Sequence, residues 1–192
     1  PISSLMGWSK LLEDSKDYNH EIIEYINDEI SRLSSISDRF SKIGSKIRYN
    51  SINLFDLLND IIIYLEKRIS ESSNVTISIT CAKKIKVKGD KILLSWAFEN
   101  IIKNSIDSIK MNKGKIYIKV INENNRCVID IIDTGDGILR KNWKNIFKPG
   151  YSTKKRGWGL GLSLTKRIVE EMHYGKVWVL RSVPSKTIMR IL

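Results

Sequence analysis

The 192-residue chain carries 33 basic and 21 acidic side chains, a net charge of +12. That length allows one full domain plus a smaller appendage; no run of about 18 apolar residues could span a bilayer, and no signal-peptide pattern opens the chain. The charge is uneven: residues 1–60 hold 7 basic and 10 acidic groups (−3), and residues 61–192 hold 26 and 11 (+15).

Residues 2–15 read as a first helix carrying Ile2, Leu5, Met6 and Leu12, and Ser15 to Asn19 form a polar break. In the next segment Ile23, Ile26, Ile30, Leu33, Ser37 and Phe40 recur at alternating spacings of three and four. This heptad seam requires a partner helix, and a four-helix bundle made by two chains would bury it. Gly44 offers a stop, and residues 45–52 read as a linker. From Asn53 to Ile69 the pattern predicts a helix, then strands at Val75–Cys81 and Ile85–Lys88. A long helix over Lys91–Lys110 precedes strands at Lys115–Asn122 and Cys127–Ile132, joined by the polar turn Glu123 to Arg126. A short helix near Trp143–Phe147, a loop, a helix over Leu160–Met172 and strands at Val177–Arg181 and Thr187–Leu192 complete the chain. Strands gathered with helices on one side predict an α+β fold, a two-layer α/β sandwich with a mixed sheet, preceded by the helical hairpin. The domains expected are 1–44, the partial dimerisation hairpin; 45–52, the linker; and 53–192, a ligand-binding domain.

Cys81 and Cys127 stand singly in apolar runs without Cys or His at metal-ligand spacing, which reads as reduced core thiols. Asn100, Asn104 and Asp107 share one stripe of the long helix, opposite Leu94, Phe98, Ile101, Ile102 and Ile109. Such a polar stripe is either a solvated face or a source of the oxygen ligands that Mg²⁺ takes. Asp133-Thr134-Gly135-Asp136-Gly137 follows an apolar strand; it fits a tight turn, or a carboxylate placed to accept a hydrogen bond from a base edge. Arg140, Lys141, Lys144, Lys148, Lys154, Lys155 and Arg156 form a basic run with no acid among them. It suits a nucleic-acid face, a solvated surface or neutralisation of a bound triphosphate, the last being preferred for Lys154. Gly157-Trp158-Gly159-Leu160-Gly161-Leu162 is neither a dinucleotide fingerprint nor a Walker loop. Its glycines permit close backbone approach, and the helix start after them offers free N–H groups to phosphates.

In this order the elements resemble the catalytic ATP-binding domain of sensor histidine kinases, in the superfamily shared with type II topoisomerases and the heat-shock and mismatch-repair ATPases. The resemblance implies that Asn100 and Asn104 form an asparagine box, with Asn104 holding Mg²⁺ and Asp107 nearby. It implies that Asp133 accepts from the adenine amino group, with Gly135, Gly137 and Ile138 passing the base. Phe147 through Thr153 and Lys154 match a lid, with Lys154 facing the terminal phosphates. Gly159, Leu160, Gly161 and Leu162 hinge that lid and open the following helix. Thr187 matches a threonine supporting the adenine site, although Lys186 replaces the glycine usual before it. The superfamily's hydrolases carry a water-activating glutamate where this chain has Asn100, and Glu99 points about 100° away on a helix. Hydrolysis is therefore expected to be slow, and the domain reads as a phosphoryl donor.

The resemblance also implies a homodimer, transfer of the ATP γ-phosphoryl to a histidine, and a response-regulator receiver domain as partner. No nucleic acid and no membrane contact by this piece is expected, and a cytoplasmic setting with an anchor upstream fits the family. Pro1-Ile2 followed by Ser3 to Trp8 looks like what comes directly after the family's phosphoacceptor histidine, which would then precede Pro1. His20-Glu21 imitates that sequence but has Tyr25 where the proline belongs. His173, at the end of the last helix, reads as structural.

Overall fold

The computed structural model describes residues 46–192 apart from 68, 70–73, 83, 110–112, 124, 125 and 155–157, and isolated positions between 23 and 41. The chain divides into two compact units, Pro1–Lys46 and Ile47–Leu192. In the first unit the described seam positions Ile23, Ile26, Ile30, Leu33 and Ser37 are helical, and Ile30 is 51% exposed. The first predicted helix, the polar break, His20, Phe40 and Gly44 lie outside the described residues. So do Lys155, Arg156, Gly157 and the tip of the turn between Glu123 and Arg126.

The second unit opens with β1 (Asn50–Asn53), which pairs antiparallel with β3 (Lys86–Gly89). The stretch expected as a linker therefore ends in a strand: four residues with mostly polar side chains give too little alternation to announce one. Asn53 closes β1 and caps α1 (Leu54–Glu66), accepting the Phe55 N–H at 3.0 Å. Leu54, Leu57, Leu58, Ile61, Ile62 and Leu65 form its buried face. Asp90 caps α2 (Lys91–Ser108) through the Ile92 and Leu93 N–H groups at 3.1 and 3.3 Å. Those bonds satisfy donors that have no partner within the helix. The stripe Leu94, Phe98, Ile101, Ile102 and Ile109 is buried as expected, but the helix stops at Ser108.

A five-stranded mixed sheet lies beside these helices in the order β2 (Asn74–Cys81), β4 (Lys113–Glu123), β5 (Arg126–Asp133), β7 (Lys186–Ile191) and β6 (Val177–Val183). Only β2 and β4 run parallel, and α2 lies in the crossover that such a pair needs. In β4, buried Ile116, Ile118 and Val120 alternate with exposed Lys115, Tyr117 and Lys119. The core sits where these residues and Ile131 meet the apolar faces of α1 and α2. On the far face Asp130 and Arg190, a cross-strand pair, form a two-pronged ion pair at 2.7 Å for each prong.

The short helix expected near Trp143–Phe147 is instead two single 3₁₀ turns, Arg140–Asn142 and Asn145–Phe147. The last helix starts at Gly161 as α3 (Gly161–Lys166) and widens into a π-helical turn, Arg167–Met172. His173 then ties the domain together. Its Nδ1–H donates to the Ile168 carbonyl at 2.8 Å, and its Nε2 accepts the Asp90 N–H at 3.0 Å. The ring is structural, as expected. The thiols of Cys81 and Cys127 are free and half-buried.

Candidate nucleotide site

The C-terminal end of β5 delivers Asp133 against the last turns of α2. The carboxylate is 3% exposed. Its Oδ1 accepts the Gly135 N–H at 2.9 Å and the Ser108 hydroxyl at 3.3 Å, and its Oδ2 accepts the Ser105 hydroxyl at 3.0 Å. Burial pushes the Asp133 carboxyl above the ordinary range, and the Gly135, Ser105 and Ser108 bonds pull it partly back. Gly135 is required sterically, because a Cβ there would overlap Ser108 Oγ. Gly137 turns at φ +85°, and a Cβ would come within 2.9 Å of the Val183 backbone. Both positions need glycine for the loop to pass close to its neighbours.

Beside Asp133 in register on β7 stands Thr187, also 3% exposed. Its hydroxyl meets Ser182 Oγ at 2.9 Å, and Ser182 accepts the Ile138 N–H at 2.7 Å. Thr187 thus braces the loop after β5 from the far edge of the pocket. Ser182, on β6, carries no pattern that would have singled it out.

At the other end of the pocket Lys154 reaches α2. Its ammonium lies 2.6 Å from Asp107 Oδ2 and 2.9 Å from Asn104 Oδ1. The Lys154 and Asp107 side chains are 45% and 39% exposed, so this is a solvated ion pair worth at most about 1 kcal/mol. Two hard oxygen atoms already hold a cation there. That donor chemistry fits Mg²⁺, which takes few protein oxygens alongside phosphate and water.

These residues surround one cavity of about 490 Å³. The structure brings Asn104, Asp107, Asp133, Gly137, Ile138, Thr153, Lys154, Leu162 and Thr187 to its wall. It adds Ile101, Ser105, Ser108, Asp136 and Met189, which the sequence reading did not assign to a site. Asn100, Gly135, Phe147, Gly159, Leu160 and Gly161 are not on that wall. Asn100 donates its amide to the Gly161 carbonyl at 3.2 Å, joining α2 to the start of α3. The buried Thr165 hydroxyl lies 3.0 Å from the Gly161 carbonyl of its own helix and 3.4 Å from the Ala97 carbonyl of α2, adding to this joint. Gly159, at φ +64°, accepts the Gly150 N–H at 3.1 Å and would clash with Gly150 and Tyr151 if it bore a Cβ. Phe147 packs under the Lys166 ammonium, 6.0 Å from the ring centre. Arg140 stacks on Trp143 at 3.9 Å, so part of the basic run is engaged locally.

A buried acceptor at one end, a cation-holding pair at the other and a loop lysine between solvent and pocket suit a nucleotide with its phosphates. Residues 89–192 match the family described as histidine kinase-, DNA gyrase B- and HSP90-like ATPase. Sporulation kinase A of Bacillus subtilis is 27% identical over 184 residues, covering 93% of this chain and 30% of that protein. The chain spans less than half the length of the curated relatives it matches. The solved catalytic domain of histidine kinase ThkA aligns with a TM-score of 0.67 at 25% identity, over 75% of this chain and 93% of that one. Histidine kinase ThkA in complex with the response regulator protein TrrA aligns with a TM-score of 0.74 at 22% identity, over 100% of this chain and 57% of that one, a likeness of fold.

Proposed function

The chain belongs to the histidine kinase-, DNA gyrase B- and HSP90-like ATPase family, and on that premise we propose that it is the ATP-binding catalytic part of a sensor histidine kinase. The observation that carries this reading is that Asp133, at the buried end, and Asn104, Asp107 and Lys154, at the exposed end, line one and the same cavity. Asp133 accepts from the adenine amino group, and Thr187 and Ile138 support the base. Asn104, with Asp107 beside it, would hold Mg²⁺, which when bound neutralises charge on the phosphates. Lys154 must leave Asn104 and Asp107 for that to happen, and its ammonium then faces the terminal phosphate.

Donation rather than hydrolysis follows from Asn100. Its amide is already bonded to the Gly161 carbonyl, and an amide is no base for water. Phosphoryl transfer is mostly positioning and charge neutralisation, which this donor set supplies. The acceptor is a histidine, and the phosphoryl passes on to a response-regulator aspartate. Residues 1–44 supply half of a dimeric helical bundle, and 53–192 the catalytic domain, whose compact unit also takes in β1 from the stretch expected as a linker. Among the described residues no helix is long and apolar enough to cross a membrane.

The test uses a protein extended upstream of Pro1 and γ-labelled ATP. Acid-labile, alkali-stable label on the protein is expected. Absence of label despite ATP binding would overturn the kinase reading, and rapid steady-state hydrolysis by the 192-residue chain would favour a stand-alone ATPase.

A further inference from the structure

Resting on the nucleotide reading of this cavity, we propose that Ser105 and Ser108 are specificity-determining positioning residues. Their hydroxyls hold the Asp133 carboxylate as a pure acceptor with one open site, so the pocket takes a base bearing an exocyclic amino group and rejects one bearing a carbonyl there.

The geometry is a count of lone pairs. Asp133 Oδ1 receives the Gly135 N–H at 2.9 Å and the Ser108 hydroxyl at 3.3 Å, which occupies both of its acceptor sites. Oδ2 receives only the Ser105 hydroxyl at 3.0 Å. An ionised carboxylate offers about four acceptor sites, so one is left, on Oδ2. Ser105 is 3% exposed, and water cannot readily replace its hydroxyl. Ser108 is the weaker donor, because its one proton is shared with the Ser105 carbonyl at 2.8 Å.

The hydroxyls matter because burial favours the protonated acid. A protonated Asp133 would carry an O–H able to donate to a carbonyl such as guanine O6, and discrimination against that base would fade. A carboxylate kept ionised by three donors cannot donate at all. The other titratable groups on the cavity wall are Asp107 of α2, Asp136 of the loop after β5, and Lys154, which is held on Asn104 and Asp107. Ile116 of β4 and Thr187 of β7 flank Asp133 in register, and neither titrates.

Calorimetric titration of wild type, Ser105→Ala, Ser108→Ala and the double variant with Mg-ATP and Mg-GTP across pH tests this. The double variant is expected to lose about tenfold in ATP affinity, as expected for hydrogen bonds to a charged acceptor. It should lose little for GTP, so the preference narrows by about the same factor. The acid limb of ATP binding should move to higher pH, with Ser105→Ala showing more of the effect than Ser108→Ala. If the double variant does not fold, Ser105→Ala alone carries the comparison. Equal loss for both nucleotides with an unmoved acid limb would mark a merely structural role and overturn the proposal, as would no change at all. A wild type that binds neither nucleotide would instead overturn the nucleotide reading beneath it.

Discussion

The two ends of the pocket are built on opposite plans. Asp133, Ser105 and Thr187 are each 3% exposed, and each is held inside the fold, Asp133 by the Ser105 hydroxyl and Thr187 by Ser182. Asn104, Asp107 and Lys154 lie in or near solvent, and the proposed function requires the bonds joining them to be exchanged for bonds to ligand and metal. The closed end gains affinity from preorganisation, since no side chain there has to be reordered on binding. The open end is poised for replacement, because an exposed ion pair is cheap to break. The proposed function then separates selection of the base from handling of the phosphates along one helix, giving Ser105 and Ser108 to the first and Asn104 and Asp107 to the second.

The largest effect is expected where the closed end is broken. Asp133→Ala leaves the ligand's amino group without a partner and should cost roughly 1–3 kcal/mol, on the order of 10- to 100-fold in ATP affinity. Unchanged affinity in a titration would sink the base-recognition role. Lys154→Ala acts at the open end and should have a mixed result. Mg-ATP affinity falls by a few-fold, about what loss of an exposed charge contact gives, while Mg²⁺ alone binds more readily because its rival cation is gone. A fall in both would contradict the exchange of Lys154 for metal. Asp107→Asn should be milder still, lowering stability by less than about 1 kcal/mol. Trypsin cleavage after Lys154 should nevertheless quicken, and an unchanged cleavage rate would argue that the ion pair does not hold the loop.

The same division explains what could be read from the sequence. The sheet and α1 and α2 were legible because Ile116, Ile118 and Val120 alternate and Phe98, Ile101 and Ile102 recur at helical spacing. Asn104, Asp133 and Lys154 stood out as candidates through the order of their surrounding glycines and asparagines, and the structure brings the three to one cavity. Ser105 and Ser108 were not: a serine within a helix looks like a weak helix former, and its role here depends on a strand 25 to 28 residues away. Asn100 shows the converse. Its helix face is shared with Asn104, yet one turn of rise brings its amide to the Gly161 carbonyl instead of the cavity. The strand β1 and the π-helical turn at Arg167–Met172 also escaped, the first for its polar brevity and the second because no local pattern encodes it.

The smallest expected effect concerns stability, and its sign separates the two ends once more. Burial raises the Asp133 carboxyl in the folded protein above its ordinary value of 3.8. The folded state then holds this proton more tightly than the unfolded chain does, so the contribution to stability is complete below that ordinary value. It is lost as pH rises through the raised folded value, because the unfolded chain releases the proton first. Urea unfolding of wild type and Asp133→Ala across that window should show the wild type losing ground to the variant as pH rises. All other carboxylates cancel in that difference, except any that respond to Asp133 itself. A difference that grows in favour of wild type with rising pH would mean that the Gly135, Ser105 and Ser108 donors outweigh burial. The closed end would then be stabilising the fold as well as selecting the base.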